Sequence, residues 1–150
     1  MARGKDILDQ RKIYYDHEPA YRALKEKGKN AWRVDNKTAP FAPIWRSFAA
    51  TGLLPKPPAK VLDFGCGGGQ FSFLLARKGF EVTGIDYSAT AVAMAKANAK
   101  AAGLTEVRFF QRDALSPKLQ PSSFDAVFSI MVLHCLIGPD RMKYWANCRE

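Results

Sequence analysis

The sequence predicts an α/β fold: a mostly parallel sheet between helices, preceded by a small helical segment. Three observations lead there. From residue 60 onward, short apolar runs alternate with helical stretches, the rhythm of strand–helix–strand units. The run from Phe124 to Ile130 has the continuous apolar character of a parallel strand buried on both faces. A glycine cluster, Gly65-Cys66-Gly67-Gly68-Gly69, stands where the first strand must turn into the first helix.

The elements follow in order. Residues 1–30 are loosely amphipathic, with Ile7, Leu8, Ile13 and Tyr14 as one apolar edge. Pro19 suits the first turn of a helix that carries Tyr21 and Leu24, and Gly28 stops it. Pro43 opens a second helix from Ile44 to Thr51. Pro55, Pro57 and Pro58 then break the chain, which divides it into a helical cap, 1–58, and an α/β core, 59–150. In the core, Lys60 to Phe64 reads as a strand, Gly69 to Lys78 as a helix and Phe80 to Ile85 as a second strand. Ser88 is an N-cap for an alanine-rich helix, Ala89 to Ala102. Val107 to Gln111 and Phe124 to Ile130 are the third and fourth strands. Pro139 to Arg149 is a last helix, with Met142, Tyr144 and Trp145 as its apolar residues.

Composition excludes several classes. No apolar run approaches the ~20 residues that span a bilayer, and the first residues have no apolar leader core. Cys66, Cys135 and Cys148 have no metal-type spacing and are odd in number, so reduced thiols, a cytoplasmic setting and no metal are expected. The net charge of +9 is uneven. Residues 1–60 carry 13 Lys and Arg against 6 Asp and Glu, while residues 61–150 carry 10 against 8. A basic cap suits an anionic partner or nucleic acid. It also suits a solvated helical face, because Arg22, Lys25, Glu26, Lys27 and Lys29 are dispersed and lack interleaved stacking aromatics.

The glycine cluster narrows the chemistry. A strand, a glycine turn and a helix N-terminus together offer unpaired N–H groups and close backbone approach to a nucleotide-like ligand. The dinucleotide spacing Gly-x-Gly-x-x-Gly fails here, because its last position falls on Gln70 or Ser72. The chain has Asp63-x-Gly65-x-Gly67-x-Gly69 instead. A carboxylate there repels a pyrophosphate but can pair with a ligand ammonium. On these residues the sequence resembles the class I S-adenosylmethionine (SAM) dependent methyltransferases, whose equivalent turn holds the methionine part of SAM. A turn that only packs strand on helix is the plain alternative.

The resemblance implies a Rossmann-like three-layer sandwich and further site residues. Asp86 lies 21 residues after Gly65 at a strand end, where an acid accepts from ribose hydroxyls. Read alone, it is equally an acid beside a helix N-terminus. Tyr87 and Ser88 follow, with Tyr87 placed to lie against adenine. Asp113 and Ala114 match the residues that meet the adenine amine and a ring nitrogen; a turn-forming Asp is the alternative. Cys66 lies inside the glycine turn. Ile130 and Met131, at the exit of the fourth strand, would border the sulfonium or ammonium end. Asp125 reads as structural.

His134 is a candidate base toward an acceptor, and equally a packed histidine. His17 is a second candidate. The runs around them, 133–141 and 14–21, both resemble uncharacterised bacterial members of the family. Cys135 reads as a packed thiol. Tyr14, Tyr15, Trp32 and Trp45 are candidates for a cap over the acceptor, or for gluing the cap to the sheet. The absence of Asp/Asn-Pro-Pro-Tyr and Pro-Cys motifs disfavours methylation of DNA base amines and of pyrimidine ring carbons.

The expected function is SAM-dependent methyl transfer to a small molecule by in-line displacement, yielding S-adenosylhomocysteine. The rivals are a non-catalytic SAM-binding module completed by a partner, and a nucleic-acid-binding protein that uses the basic cap. The family sheet has seven strands and this sequence supplies four, in expected order 3-2-1-4. That leads to the expectation of a shortened form of a longer chain, or of self-association through the unpaired fourth strand.

Overall fold

The computed structural model describes residues 16–29 and 41–149. Tyr14, Tyr15 and Trp32, and the apolar edge around Ile7 to Ile13, lie outside them. The elements are α1 (Glu18–Glu26), α2 (Ala42–Ala50), β1 (Lys60–Phe64), α3 (Gln70–Arg77), β2 (Glu81–Asp86), α4 (Ala89–Ala101), β3 (Arg108–Gln111), β4 (Ala126–Phe128), a 3-10 turn (Leu133–Cys135) and α5 (Pro139–Arg149).

The sheet order is β3-β2-β1-β4, as the sequence predicts, and every pair is parallel. Parallel neighbours require crossovers, which bring all strand C-termini to one edge. Strand alternation sorts side chains between two faces. Val61 packs in the cluster with Phe71 and Leu75 of α3 and Val92, Ala95 and Ala99 of α4. Leu62 and Phe64 pack on the other face with Leu136 and Tyr144. Helices thus cover both faces, giving the Rossmann-like three-layer sandwich.

Register is keyed between β2 and β3. Gly84 stands opposite Phe109, and a Cβ on Gly84 would lie 2.7 Å from the Phe109 ring. The aromatic ring occupies the space a side chain would need.

Two expectations change. β4 is only Ala126–Phe128, and two of its three residues are half-buried. The preceding Asp125 leaves the ladder to clasp Lys60: its N–H donates to the Lys60 carbonyl (2.8 Å) and its Oδ2 accepts from the Lys60 N–H (2.8 Å). Beyond the strand, Ser129 receives the Tyr144 hydroxyl hydrogen bond. In α5 only Tyr144 of the three apolar candidates is buried; Met142 and Trp145 are 72% and 51% exposed. One face of α5 meets the sheet, and those two residues lie off it.

The cap helices attach differently. α2 packs by aromatics: Phe41 and Phe48 meet Phe71, and Trp45 meets Phe80 with ring centroids 6.0 Å apart. α1 attaches through Glu18. Its carboxylate accepts from Ser88 Oγ (2.6 Å), Thr90 Oγ1 (2.6 Å) and Thr90 N (3.1 Å) at the start of α4.

Candidate functional site

One cavity of about 350 Å³ opens along the strand C-termini. The glycine turn forms its floor. Gly65 N and Cys66 N both donate to the Ile85 carbonyl, at 2.8 and 2.9 Å, which folds the turn back over β2. Gly65 and Gly67 have φ of +84° and +53°, a region costly for residues with a Cβ. Space is equally demanding there. A Cβ on Gly65 would fall 2.1 Å from Val132 Cγ2, and one on Gly67 2.5 Å from the Tyr21 hydroxyl. The backbone is therefore exposed to the cavity from below while Tyr21 of α1 closes over it.

Asp86 stands at the end of β2. Its Oδ2 accepts from Gly67 N and its Oδ1 from Ser88 N, each at 2.9 Å. One lone pair of each oxygen is used, and further acceptor capacity remains toward the cavity. Burial raises its pKa. The two N–H groups, and a positive charge on the His17 ring, offset that rise only in part. Ser88 caps α4 by accepting from Ala91 N (2.9 Å) while donating to Glu18.

Asp63 lies beneath the turn at 1% exposure, and its Oδ2 accepts from Ser72 Oγ at 2.6 Å. Burial pushes its carboxyl up to about 7, against the opposing pull of the Ser72 hydrogen bond. A cation brought close to this carboxyl would favour its ionised form. Glu18 behaves in the opposite way. Burial raises it, but the hydrogen bonds from Ser88 and Thr90 together outweigh burial and hold it at about 2.

Of the cofactor-site candidates, Asp63, Gly65, Cys66, Gly67, Asp86, Tyr87, Ser88, Ala114, Ile130 and Met131 all line this cavity. Gly69 and Asp113 do not. Gly69 is the N-cap of α3, turned toward Phe73 and Phe109. The Asp113 carboxylate accepts from Leu115 N (2.7 Å), the turn role left open by the sequence; its neighbour Arg112 lines the cavity instead. Met131 takes φ +60° and is 62% exposed, a strained residue at the cavity in the segment that follows β4.

His17 and His134 both line the cavity, and so does Cys135 between them. Trp45 lies outside it, in the core against Phe80 with Lys78 Nζ 5.7 Å from its ring centre. It glues α2 to the sheet. Sequence reasoning missed Tyr21, Phe41 and Glu18 as parts of the site. The only signal was that Glu18 and Tyr21 follow His17 within the run 14–21, which resembles bacterial family members. Among the described residues no group of His, Cys, Asp and Glu is arranged to hold a metal ion, and no helix is long and apolar enough to cross a membrane.

The family described as "Methyltransferase domain" matches residues 61–150. The chain is 39% identical over 85 residues to the demethylmenaquinone methyltransferase of Thermus thermophilus, covering 55% of this chain and 38% of that protein. It is 43% identical over 67 residues to the 23S rRNA (uracil(1939)-C(5))-methyltransferase of Shewanella halifaxensis, covering 45% and 15%. A solved structure concerned with conversion of a disulfide bond into a thioacetal group during echinomycin biosynthesis superposes with a TM-score of 0.63 at 33% identity. That superposition covers 70% of this chain and 42% of the other. The chain thus spans under two fifths of the length of the first of these curated relatives.

Proposed function

The chain belongs to the class I SAM-dependent methyltransferase family, and from that premise we propose that it transfers a methyl group from SAM to a small-molecule acceptor. The observation that carries this reading is the cavity floor, where Asp86 is braced by Gly67 N and Ser88 N beside a turn that tolerates no Cβ.

The residues fit such a cofactor. Asp86 keeps acceptor capacity for ribose hydroxyls. Tyr87 and Ala114 flank the adenine side, with Arg112 beside them and Asp113 shaping their turn. Gly65, Cys66 and Gly67 face the methionine side above Asp63, while Gly69 starts the helix that supports it. Ile130 and Met131 border the reacting end, with His134 as the candidate base and His17 across from it. When bound, SAM supplies a methyl already activated on a sulfonium. The protein's task is then to align a nucleophile and exclude water. Tyr21 and α1 close the cavity from above, which supports a small acceptor. The division into cap, 1–58, and core, 59–150, belongs to the same proposal.

A second reading takes RNA as acceptor, favoured by the basic residues 1–60 and the rRNA-directed relative. A third is SAM binding without turnover. Calorimetry with SAM, S-adenosylhomocysteine and NAD, followed by transfer of labelled methyl to small acceptors and to RNA, separates them. Binding of NAD without SAM overturns the proposal. Label in RNA alone selects the second reading, and SAM binding with no label anywhere selects the third.

A further inference from the structure

Cys135 sits between two imidazoles. Its Sγ lies 3.4 Å from Nε2 of His134 and 3.7 Å from Nε2 of His17, a residue 118 positions away in sequence. Cys135 is 8% exposed, while His134 reaches solvent at the cavity.

A thiol carries one proton. It donates toward only one ring nitrogen and serves the other as a weak acceptor. The Met131 carbonyl, also 3.7 Å from Sγ, competes poorly for that proton because an imidazole nitrogen is the stronger base. The two rings are therefore held in opposite tautomers. Asp86 sets the direction. Its negative charge and a positive charge arriving on the His17 ring attract, so a proton passed among the three groups moves toward His17. The thiol itself stays protonated, because burial and then the Asp86 charge push it up. It can pass a proton but does not rest as a nucleophilic thiolate.

Resting on the methyl-transfer reading above, we propose that His134, Cys135 and His17 form a proton relay, and that the methyl acceptor is an acidic O–H or S–H compound: a phenol, enol or thiol. The acceptor proton goes to Nδ1 of His134, the Nε2 proton of His134 goes to Sγ, and the S–H proton goes to Nε2 of His17. The freed electron pair of the acceptor bonds the methyl carbon. The pair of the broken carbon–sulfur bond stays on the former sulfonium, now a neutral thioether. One positive charge leaves that sulfur and one arrives at His17. Sγ gains a proton as it gives one up, so no thiolate forms.

Four other ionisable groups that line the cavity are engaged or kept protonated. Asp63 is bonded to Ser72 and Asp86 to two backbone N–H groups. Burial keeps Tyr21 and Cys66 protonated. His134 is then the catalytic base, and Cys135 and His17 are positioning residues that act through it.

The test uses the full chain with S-adenosylhomocysteine. 4-Nitrophenol, whose phenolate absorbs in the visible, is compared with 4-nitroanisole, which has no proton to give. The phenol is expected to bind at least tenfold more tightly, with its phenolate band strengthened. His134→Gln is expected to remove the preference, Cys135→Ser to keep it and Cys135→Ala to lose most of it. Nitrogen-15 NMR of the imidazoles is expected to show opposite tautomers in the wild type and Cys135→Ser, and matching ones in Cys135→Ala. Equal binding of the two probes overturns the acceptor class, and tautomers indifferent to Cys135→Ala overturn the relay. Calorimetry with S-adenosylhomocysteine on the same samples isolates the cofactor reading: if it fails, that reading falls, and the NMR still decides the relay.

Discussion

Glu18 and Thr90, 72 residues apart, are joined by two hydrogen bonds to one carboxylate: Thr90 Oγ1 to Oε1 at 2.6 Å and Thr90 N to Oε2 at 3.1 Å. With Ser88 donating at 2.6 Å, this carboxylate pins α1 to the start of α4 and so holds Tyr21 over the glycine turn. The positive end of the α4 dipole adds to the attraction.

Glu18→Gln removes the charge and turns an amide NH₂ toward hydroxyl and N–H donors. Hydrogen bonds to charged groups are worth about 1.5–3 kcal/mol, and a loss of that order is expected in urea denaturation at neutral pH. The sign with pH follows from the depressed pKa. The contribution is fully present above the ordinary carboxylate value of 4.5 and is lost as pH falls through about 2. Acid unfolding curves of the wild type and the variant should converge there.

Gly67→Ala meets both strain and a clash. The φ of +53° costs a Cβ residue about 1–2 kcal/mol, and the methyl would fall 2.5 Å from the Tyr21 hydroxyl. Lower thermal stability and weaker S-adenosylhomocysteine binding are expected. Tyr21→Phe in the same chain removes the clash but leaves the φ cost, so it should restore part of each loss. A double variant no better than Gly67→Ala would show that Tyr21 does not press on the turn.

Asp63 gives a pH dependence of opposite sense. Between its ordinary value of 3.8 and about 7, the folded protein holds a proton that the unfolded chain has lost. Stability therefore falls as pH rises through that window and levels off above it. A ligand ammonium needs the ionised form, so S-adenosylhomocysteine should bind more tightly as pH rises through about 7. In Asp63→Asn both trends should vanish, as read by denaturation and calorimetry from pH 5 to 9.

Asp86→Ala is expected to weaken S-adenosylhomocysteine binding by more than tenfold, because the ribose acceptor and the brace of Gly67 N disappear together. Asp86→Asn keeps the shape and one acceptor oxygen, and should lose less. Unchanged affinity in the alanine variant would reject the ribose role.

What was legible in the sequence was local. Ser88 as an N-cap follows from residue type and position, the strand order follows from the family resemblance, and the structure bears both out; the spacing of Asp86 after Gly65 places it at the end of β2. What was not legible depended on distant pairs. Nothing near Asp125 announces that its side chain clasps Lys60, so β4 was read too long. Helical periodicity places Tyr144 and Trp145 on α5 but does not say which of them meets the sheet. Cys135 read as a packed thiol because only its neighbour His134 was visible; its contact with His17 needs the fold. Glu18 has no local signal for its role, because its partners Ser88 and Thr90 lie at the start of another helix.

The pairing of Gly84 with Phe109 acts as a key in a notch. A slip of one residue would set Thr83 or Ile85 under the Phe109 ring, where a side chain has no room. The same register places Asp86 opposite Gln111 and lets Arg112 N donate to the Asp86 carbonyl. A misaligned edge strand is thus disfavoured two residues from Asp86, the acid proposed to hold the ribose. The contact that fixes the register of the edge strand and the acid at the cavity floor thus share one stretch of β2.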